Sequence, residues 1–207
     1  ATIGRRAGRL AALTGGIIAT LPDLDVLVSL GDPVSDFTYH RSATHSLLLL
    51  TLATPLVAWL VTRLKKSWQD DFKAWLLTTW LILITHPLLD SLTVYGTQLL
   101  WPLSEHPFAV GSIFIIDPLY TLPLLSAVVS AQFVRRCEMR AARLNTWVLI
   151  VTTAYLALGF GAQQWARAHV LRQAQSAGVG IDTVGVWNTP FNIAAWRAVL
   201  MGPDGYH

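Results

Sequence analysis

Five stretches of this chain are apolar over about twenty residues each, the length an α-helix needs to cross a hydrocarbon core roughly 30 Å thick. They run from about Leu10 to Leu30, Ser46 to Val61, Ala74 to Leu92, Val110 to Val134 and Leu144 to Trp165. The second is the shortest and borrows Thr44 and Thr62 at its ends. Inside a bilayer no water bonds the backbone, so every N–H and C=O must be satisfied within the protein and each run is expected to be a helix. The 13% of charged residues, against about 25% for an average soluble domain, agrees with that solvent. The mean hydropathy of +0.48 points the same way. The expected fold is an all-α polytopic membrane protein of about five transmembrane helices. Pro22, Pro55, Pro87, Pro118 and Pro123 interrupt these runs, so several helices are expected to be kinked or broken.

The basic residues orient the spans. Arg5, Arg6 and Arg9 precede the first, Arg63, Lys65, Lys66 and Lys73 follow the second, and Arg135, Arg136, Arg140 and Arg143 follow the fourth. By the positive-inside rule these mark the cytoplasmic side of a plasma (inner) membrane, with the amino end inside and the carboxyl end outside. The opposite connections hold one basic residue, Arg41, within Gly31 to Ala43 and none within Ser91 to Ala109. The net charge of +3 therefore reflects topology, and no nucleic-acid partner is expected. The single cysteine, Cys137, excludes an internal disulfide and a cysteine-based zinc knuckle.

Seven ionisable residues sit inside or at the mouths of the apolar runs: Asp23, Asp25, His40, His45, His86, Asp90 and Asp117. An aspartate at mid-bilayer costs roughly 2.5 to 3.5 kcal/mol on insertion scales, so several together imply pairing, cavity water or a cation. All are types that ligate hard or borderline divalent metals. On the deduced topology all seven fall toward the outer leaflet.

Spacing adds geometry. His86 and Asp90 stand four apart, on one helical face, as two ligands of one metal require. Asp23 and Asp25 would diverge on a regular helix, but a turn around Pro22 brings them together. His40 and His45, five apart, suit a loop histidine followed by one at a helix start, with Thr44 as N-cap. Singly, each residue has a plainer reading: Asp23 or Asp25 as a cap, His86 as an interhelical hydrogen-bond partner, Arg41 as an interfacial anchor and Asp117 as a helix start. Capping does not explain three histidines on one side. His106 and Glu105 share that side but lie outside the clustered motifs, and His169 and His207 read as solvated. Trp59, Trp68, Trp75, Trp101 and Trp165 lie near span ends, as an aromatic belt does.

Leu-Pro-Asp-Leu-Asp (21–25), His-Arg-Ser-Ala-Thr-His-Ser (40–46), His-Pro-Leu-Leu-Asp-Ser-Leu-Thr (86–93), Leu-Leu-Trp-Pro (99–102) and Ile-Asp-Pro-Leu (116–119) resemble the YdjM-type family of predicted inner-membrane metal-dependent hydrolases. The motifs occur in that family's order over most of residues 10–120. The resemblance implies a hydrolase, with a more distant likeness to zinc-dependent phospholipase C, which also carries His-x-x-x-Asp on a helix. It also implies a further short apolar helix upstream, and Ala1 is not expected to be the natural start.

Three histidines and four carboxylates exceed the needs of one tetrahedral zinc and suit two ions, zinc first, with manganese or magnesium admitted by the carboxylates. The expected chemistry is phosphoester cleavage by metal-activated hydroxide. Arg41 is the expected phosphate clamp, because guanidinium matches phosphate oxygens bidentately. Thr44, Ser46, Ser91 and Thr93 are candidates to orient ligands. The outer-leaflet address favours an amphipathic substrate such as a phospholipid or polyprenyl phosphate. Two other classes remain open: an ion-coupled transporter or lipid flippase, which the broken helices would also suit, and a structural metal-binding membrane protein. Against transport, the inner halves of the spans are almost purely apolar.

Residues 1–165 are thus expected to form the transmembrane domain carrying the metal site. Residues 166–207 are expected to start an extracytoplasmic, β-containing domain, since Gly-Pro-Asp-Gly (202–205) is a hairpin-turn signal. The oligomeric state is not written in the sequence.

Overall fold

The structure is a computed structural model describing residues 4–27, 29, 31–32, 39–133, 138–203 and 205–206. Ala1, Arg135, Arg136, Cys137 and His207 lie outside the described residues. The chain divides into two compact units, Ala1–Ser91 with Gly96–Ala109, and Leu92–Tyr95 with Val110–His207.

In the first unit, α1 (Gly4–Thr20) runs into a 3-10 turn over Pro22–Leu27. The apolar run expected as one span from Leu10 to Leu30 therefore stops being α-helical at Thr20. Pro22 lacks an N–H and disfavours helical geometry at Leu21, so the chain tightens there and presents Asp23 and Asp25 from a turn. A second 3-10 turn, Ala43–His45, precedes α2 (Leu47–Arg63). The cap of α2 is Ser46, whose Oγ accepts from Leu49 N at 3.3 Å, and not Thr44 as expected. The short α3 (Lys66–Gln69) leads to α4 (Phe72–Asp90), which continues through Pro87.

Small residues bring α2 and α4 together. Thr54, Ala58 and Thr62, at successive i+4 positions, are all buried, and so are Trp75, Thr79, Leu83 and Pro87 on α4. Such small-xxx-small rows let helices approach closely, which matters most in lipid, where packing must replace the hydrophobic drive. The core adds Ile18 from α1, Leu50, Val61 and Trp68. Trp68 and Trp75 pack with ring centroids 4.5 Å apart and planes tilted by 39°, and both are nearly inaccessible, so these two fill the core and do not join a lipid-facing belt. Trp59 and Trp165 are exposed.

The second unit holds α5 (Pro118–Phe133), α6 (Glu138–Ser176) and an antiparallel sheet of β1 (Thr183–Asn188), β2 (Trp196–Gly202) and β3 (Gly205–Tyr206), in that order. β1 and β2 form a hairpin in which Val186 faces Ala198. The fourth apolar run is helical only from Pro118, because Asp117 caps the helix there: its Oδ1 accepts from Leu119 N at 2.9 Å. α6 is unbroken past Trp165 to Ser176. Its inward row includes Tyr155, Gly159 and Gln163, and the Gln163 side-chain amide donates to the carbonyls of Val110 and Val186, anchoring the sheet.

Two helical segments, Phe72–Asp90 and Ala142–Ser176, are long and apolar enough to cross a membrane, and shorter apolar helices cover Leu10–Thr20, Leu47–Arg63 and Pro118–Ser130. Only 22% and 11% of the two long apolar windows are buried, unlike the core helix of a soluble protein.

Candidate metal centre

Helix pairing in the first unit creates the site. α2 begins and α4 ends at the same end of the pair, while Arg63, Lys65, Lys66 and Lys73 lie at the other. At about 1.5 Å per residue, the 17-residue α2 separates the two ends by about 25 Å. Asp90 and His86 occupy the last turn of α4, four residues apart, with His86 Nε2 3.5 Å from Asp90 Oδ2.

The 3-10 turn at Ala43–His45 places His45 beneath them. Its ring is fully buried, and Nε2 lies 3.2 Å from Asp90 Oδ2 and 3.4 Å from Asp23 Oδ1. Asp23 arrives from the turn after α1 and also meets His86 Nε2 at 3.3 Å. One donor atom from each of Asp23, His45, His86 and Asp90 thus falls within 4.8 Å of all the others.

Around this group the backbone is pinned. Asp25 Oδ2 accepts from Arg41 N at 3.1 Å and from the Thr44 hydroxyl at 2.6 Å, and Oδ1 faces His40 Nδ1 at 3.0 Å. Arg41 takes the left-handed φ of 63°, which turns its amide toward Asp25 while its carbonyl accepts from Gln98 N. Leu47 N bonds Leu99 O, and Ser46 Oγ bonds Trp101 O, so residues 98–101 brace the start of α2. Arg41 Nη1 stands 3.6 Å from Asp90 Oδ1, and its side chain is only 13% exposed.

Six of the seven expected ligands therefore lie in the first unit. Four converge on one point, and Asp25 with His40 forms a contact beside them. Asp117 belongs to the second unit, where it is buried and its Oδ2 accepts from Tyr155 OH at 2.8 Å. Ser91 bonds the Leu88 carbonyl within its own helix, and Thr93 lies in the second unit. Tyr155 was invisible to sequence reasoning, because an isolated tyrosine on an apolar helix carries no spacing signal.

The donor set fits a divalent cation. The buried Nε2 of His45 makes no hydrogen bond of good alignment, although two carboxylate oxygens stand within 3.4 Å. A buried polar atom so placed is costly unless something else meets it. Imidazole nitrogens with carboxylate oxygens are the ligand types of zinc, and of manganese where oxygens dominate. The group opens outward at Asp23, whose side chain is 48% exposed, while His45 is sealed.

The chain is 31% identical over 120 residues to the uncharacterized protein YfhP of Bacillus subtilis (strain 168). That stretch is 54% of this chain but 35% of YfhP, so the chain spans about a third of that relative's length. No solved structure shows a significant match. The sequence model of the YdjM inner membrane protein family matches residues 1–166, a stretch that takes in the whole histidine–aspartate cluster and most of the apolar helices. On that match the chain belongs to the YdjM inner membrane protein family.

Proposed function

We propose that this protein is a membrane-bound, metal-dependent hydrolase that cleaves a phosphoester of a lipid or lipid-linked substrate at the outer leaflet of the inner membrane. The observation that carries the reading is the convergence of Asp23, His45, His86 and Asp90, from three separate segments, onto donor atoms within 4.8 Å of one another. Their position at the end of α2 and α4 away from Arg63, Lys65, Lys66 and Lys73 supports an outer-leaflet address under the positive-inside rule. The sparsely buried apolar helices support a chain that spans the membrane several times, including its shorter helices.

In this reading those four residues hold the ion, zinc before manganese or magnesium. Bound there, it supplies Lewis acidity and a hydrolytic nucleophile at neutral pH. Asp23, the exposed member, marks the side from which substrate enters. Arg41, held against Asp90 from the 39–45 segment, sets a guanidinium at the rim where it orients an anionic phosphoryl group. The buried wall around His45 excludes bulk water and strengthens each of these electrostatic contacts.

The test is hydrolysis of phosphomonoester and phosphodiester substrates, water-soluble and lipid-borne, by the purified chain in lipid nanodiscs. His45→Ala and Asp90→Ala should each lower the rate at least about 100-fold with the helical signal unchanged. Full activity in either variant refutes the assignment. Uptake that depends on an imposed ion gradient, without hydrolysis, would instead identify a transporter.

A further inference from the structure

Asp25 and Thr44 define the state of His45. A threonine hydroxyl owns one hydrogen and two lone pairs. Thr44 Oγ1 has two partners in reach: Asp25 Oδ2 at 2.6 Å and His45 Nδ1 at 3.0 Å. The hydrogen goes to the nearer partner, Asp25 Oδ2, the same oxygen that accepts from the Arg41 amide. The Thr44 oxygen then turns a lone pair toward His45, so the hydrogen in that contact is carried by Nδ1. An imidazole with its hydrogen on Nδ1 keeps its free lone pair on Nε2. Nε2 is the buried atom that stands among Asp23, Asp90 and His86 in the cluster.

Asp25 is suited to this part. Its Oδ2 accepts from Thr44 and the Arg41 amide, and its Oδ1 lies 3.0 Å from His40 Nδ1. The left-handed backbone at Arg41 supplies the second donor and fixes the carboxylate in place. Asp25 does not belong to the group of four whose donor atoms come within 4.8 Å of one another.

We propose that Asp25 and Thr44 are positioning residues: the chain Asp25–Thr44–His45 holds the histidine in the tautomer and ring orientation that present Nε2 to a divalent ion, and Asp25 is not itself a ligand. The inference rests on the metal reading of the cluster. Partners of this kind typically change metal affinity about 10- to 100-fold when removed.

The experiment measures zinc affinity of the full chain in detergent micelles by competition with a chromophoric chelator, with thermal unfolding of the zinc-free protein in parallel. Thr44→Val keeps the volume and loses the hydroxyl, whereas Thr44→Ser keeps the hydroxyl. The expected result is zinc binding about 10- to 100-fold weaker in Thr44→Val and within about threefold of the parent in Thr44→Ser. Equal affinity in Thr44→Val and the parent overturns the relay and leaves the metal centre standing. A Thr44→Ser protein that binds much more weakly than the parent also overturns it, and that comparison is readable even where Thr44→Val does not fold. A parent protein that binds no zinc, manganese or magnesium overturns the metal reading itself.

Discussion

The hydroxyl of Tyr155 donates to Asp117 Oδ2 over 2.8 Å, fastening the middle of α6 to the cap of α5. Asp117 is 1% exposed, and its other oxygen accepts from Leu119 N. Both oxygens of this carboxylate thus have protein donors. Tyr155→Phe removes a hydrogen bond to a buried carboxylate and should destabilise the protein by about 1.5 to 3 kcal/mol, read as a lower midpoint of thermal unfolding in micelles. Asp117→Asn should leave the zinc content unchanged, and a loss of zinc in that variant would make Asp117 a ligand.

Metal content should follow the four converging residues. Elemental analysis of purified protein is expected to give one divalent ion per chain, and His86→Ala or Asp90→Ala should reduce it severalfold at equal concentration. His40→Ala should retain the ion, because His40 lies against Asp25 and outside the group of four. Two ions in the parent, one of them lost with His40, would place a second metal between His40 and Asp25.

Arg41 offers a clean test of the phosphate clamp because of its backbone. At φ 63° a glycine is at ease, whereas alanine is strained. Arg41→Gly should therefore keep the turn and the bond from its amide to Asp25 while removing the guanidinium. The expected outcome is a rise of about tenfold or more in KM for an anionic phosphoester, with metal content preserved. An unchanged KM would make Arg41 a structural partner of Asp90 alone.

The α2–α4 contact should be intolerant of bulk. Ala58 is completely buried between Thr54 and Thr62, and three added heavy atoms at Ala58→Leu have no space. Overpacking of this kind typically costs about 1 to 3 kcal/mol. Because the same helix pair carries His86 and Asp90, zinc affinity measured on Ala58→Leu should fall along with the unfolding temperature.

Gly159 marks the equivalent point of the second unit. A Cβ there would meet the Ser112 carbonyl oxygen at 2.9 Å and Ile193 at 3.3 Å. Gly159→Ala would ordinarily favour a helix, yet here it should destabilise, since backbone must move to admit the methyl group. A gain in thermal stability would show that the loop at Ser112 yields freely.

The features legible in the sequence are those whose cause is local. Apolar runs of helical length announced helices at α2, α4, α5 and α6, and a turn signal announced the β2–β3 turn. The i, i+4 spacing of His86 and Asp90 announced their shared face, which survives Pro87. Helix ends were less legible, because apolar composition continues past the point where hydrogen bonding stops. Thus α1 ends at Thr20, ahead of the apolar residues that follow, and α5 starts only at Pro118.

What the sequence alone determined is the inventory: the histidines and aspartates present, their confinement to apolar surroundings, and the turn at Pro22 that lets Asp23 and Asp25 face in useful directions. What only the tertiary structure decided is the sorting of that inventory. Asp23, His45, His86 and Asp90 meet because a row of small residues draws α2 against α4 while two 3-10 turns fold over their shared end. Asp25, two residues from Asp23, is instead claimed by Thr44, Arg41 and His40, and Asp117 by Tyr155. Chemically these residues are alike, so only the distances of the folded chain, to which electrostatic and hydrogen-bond energies are steeply sensitive, decide which of them meet.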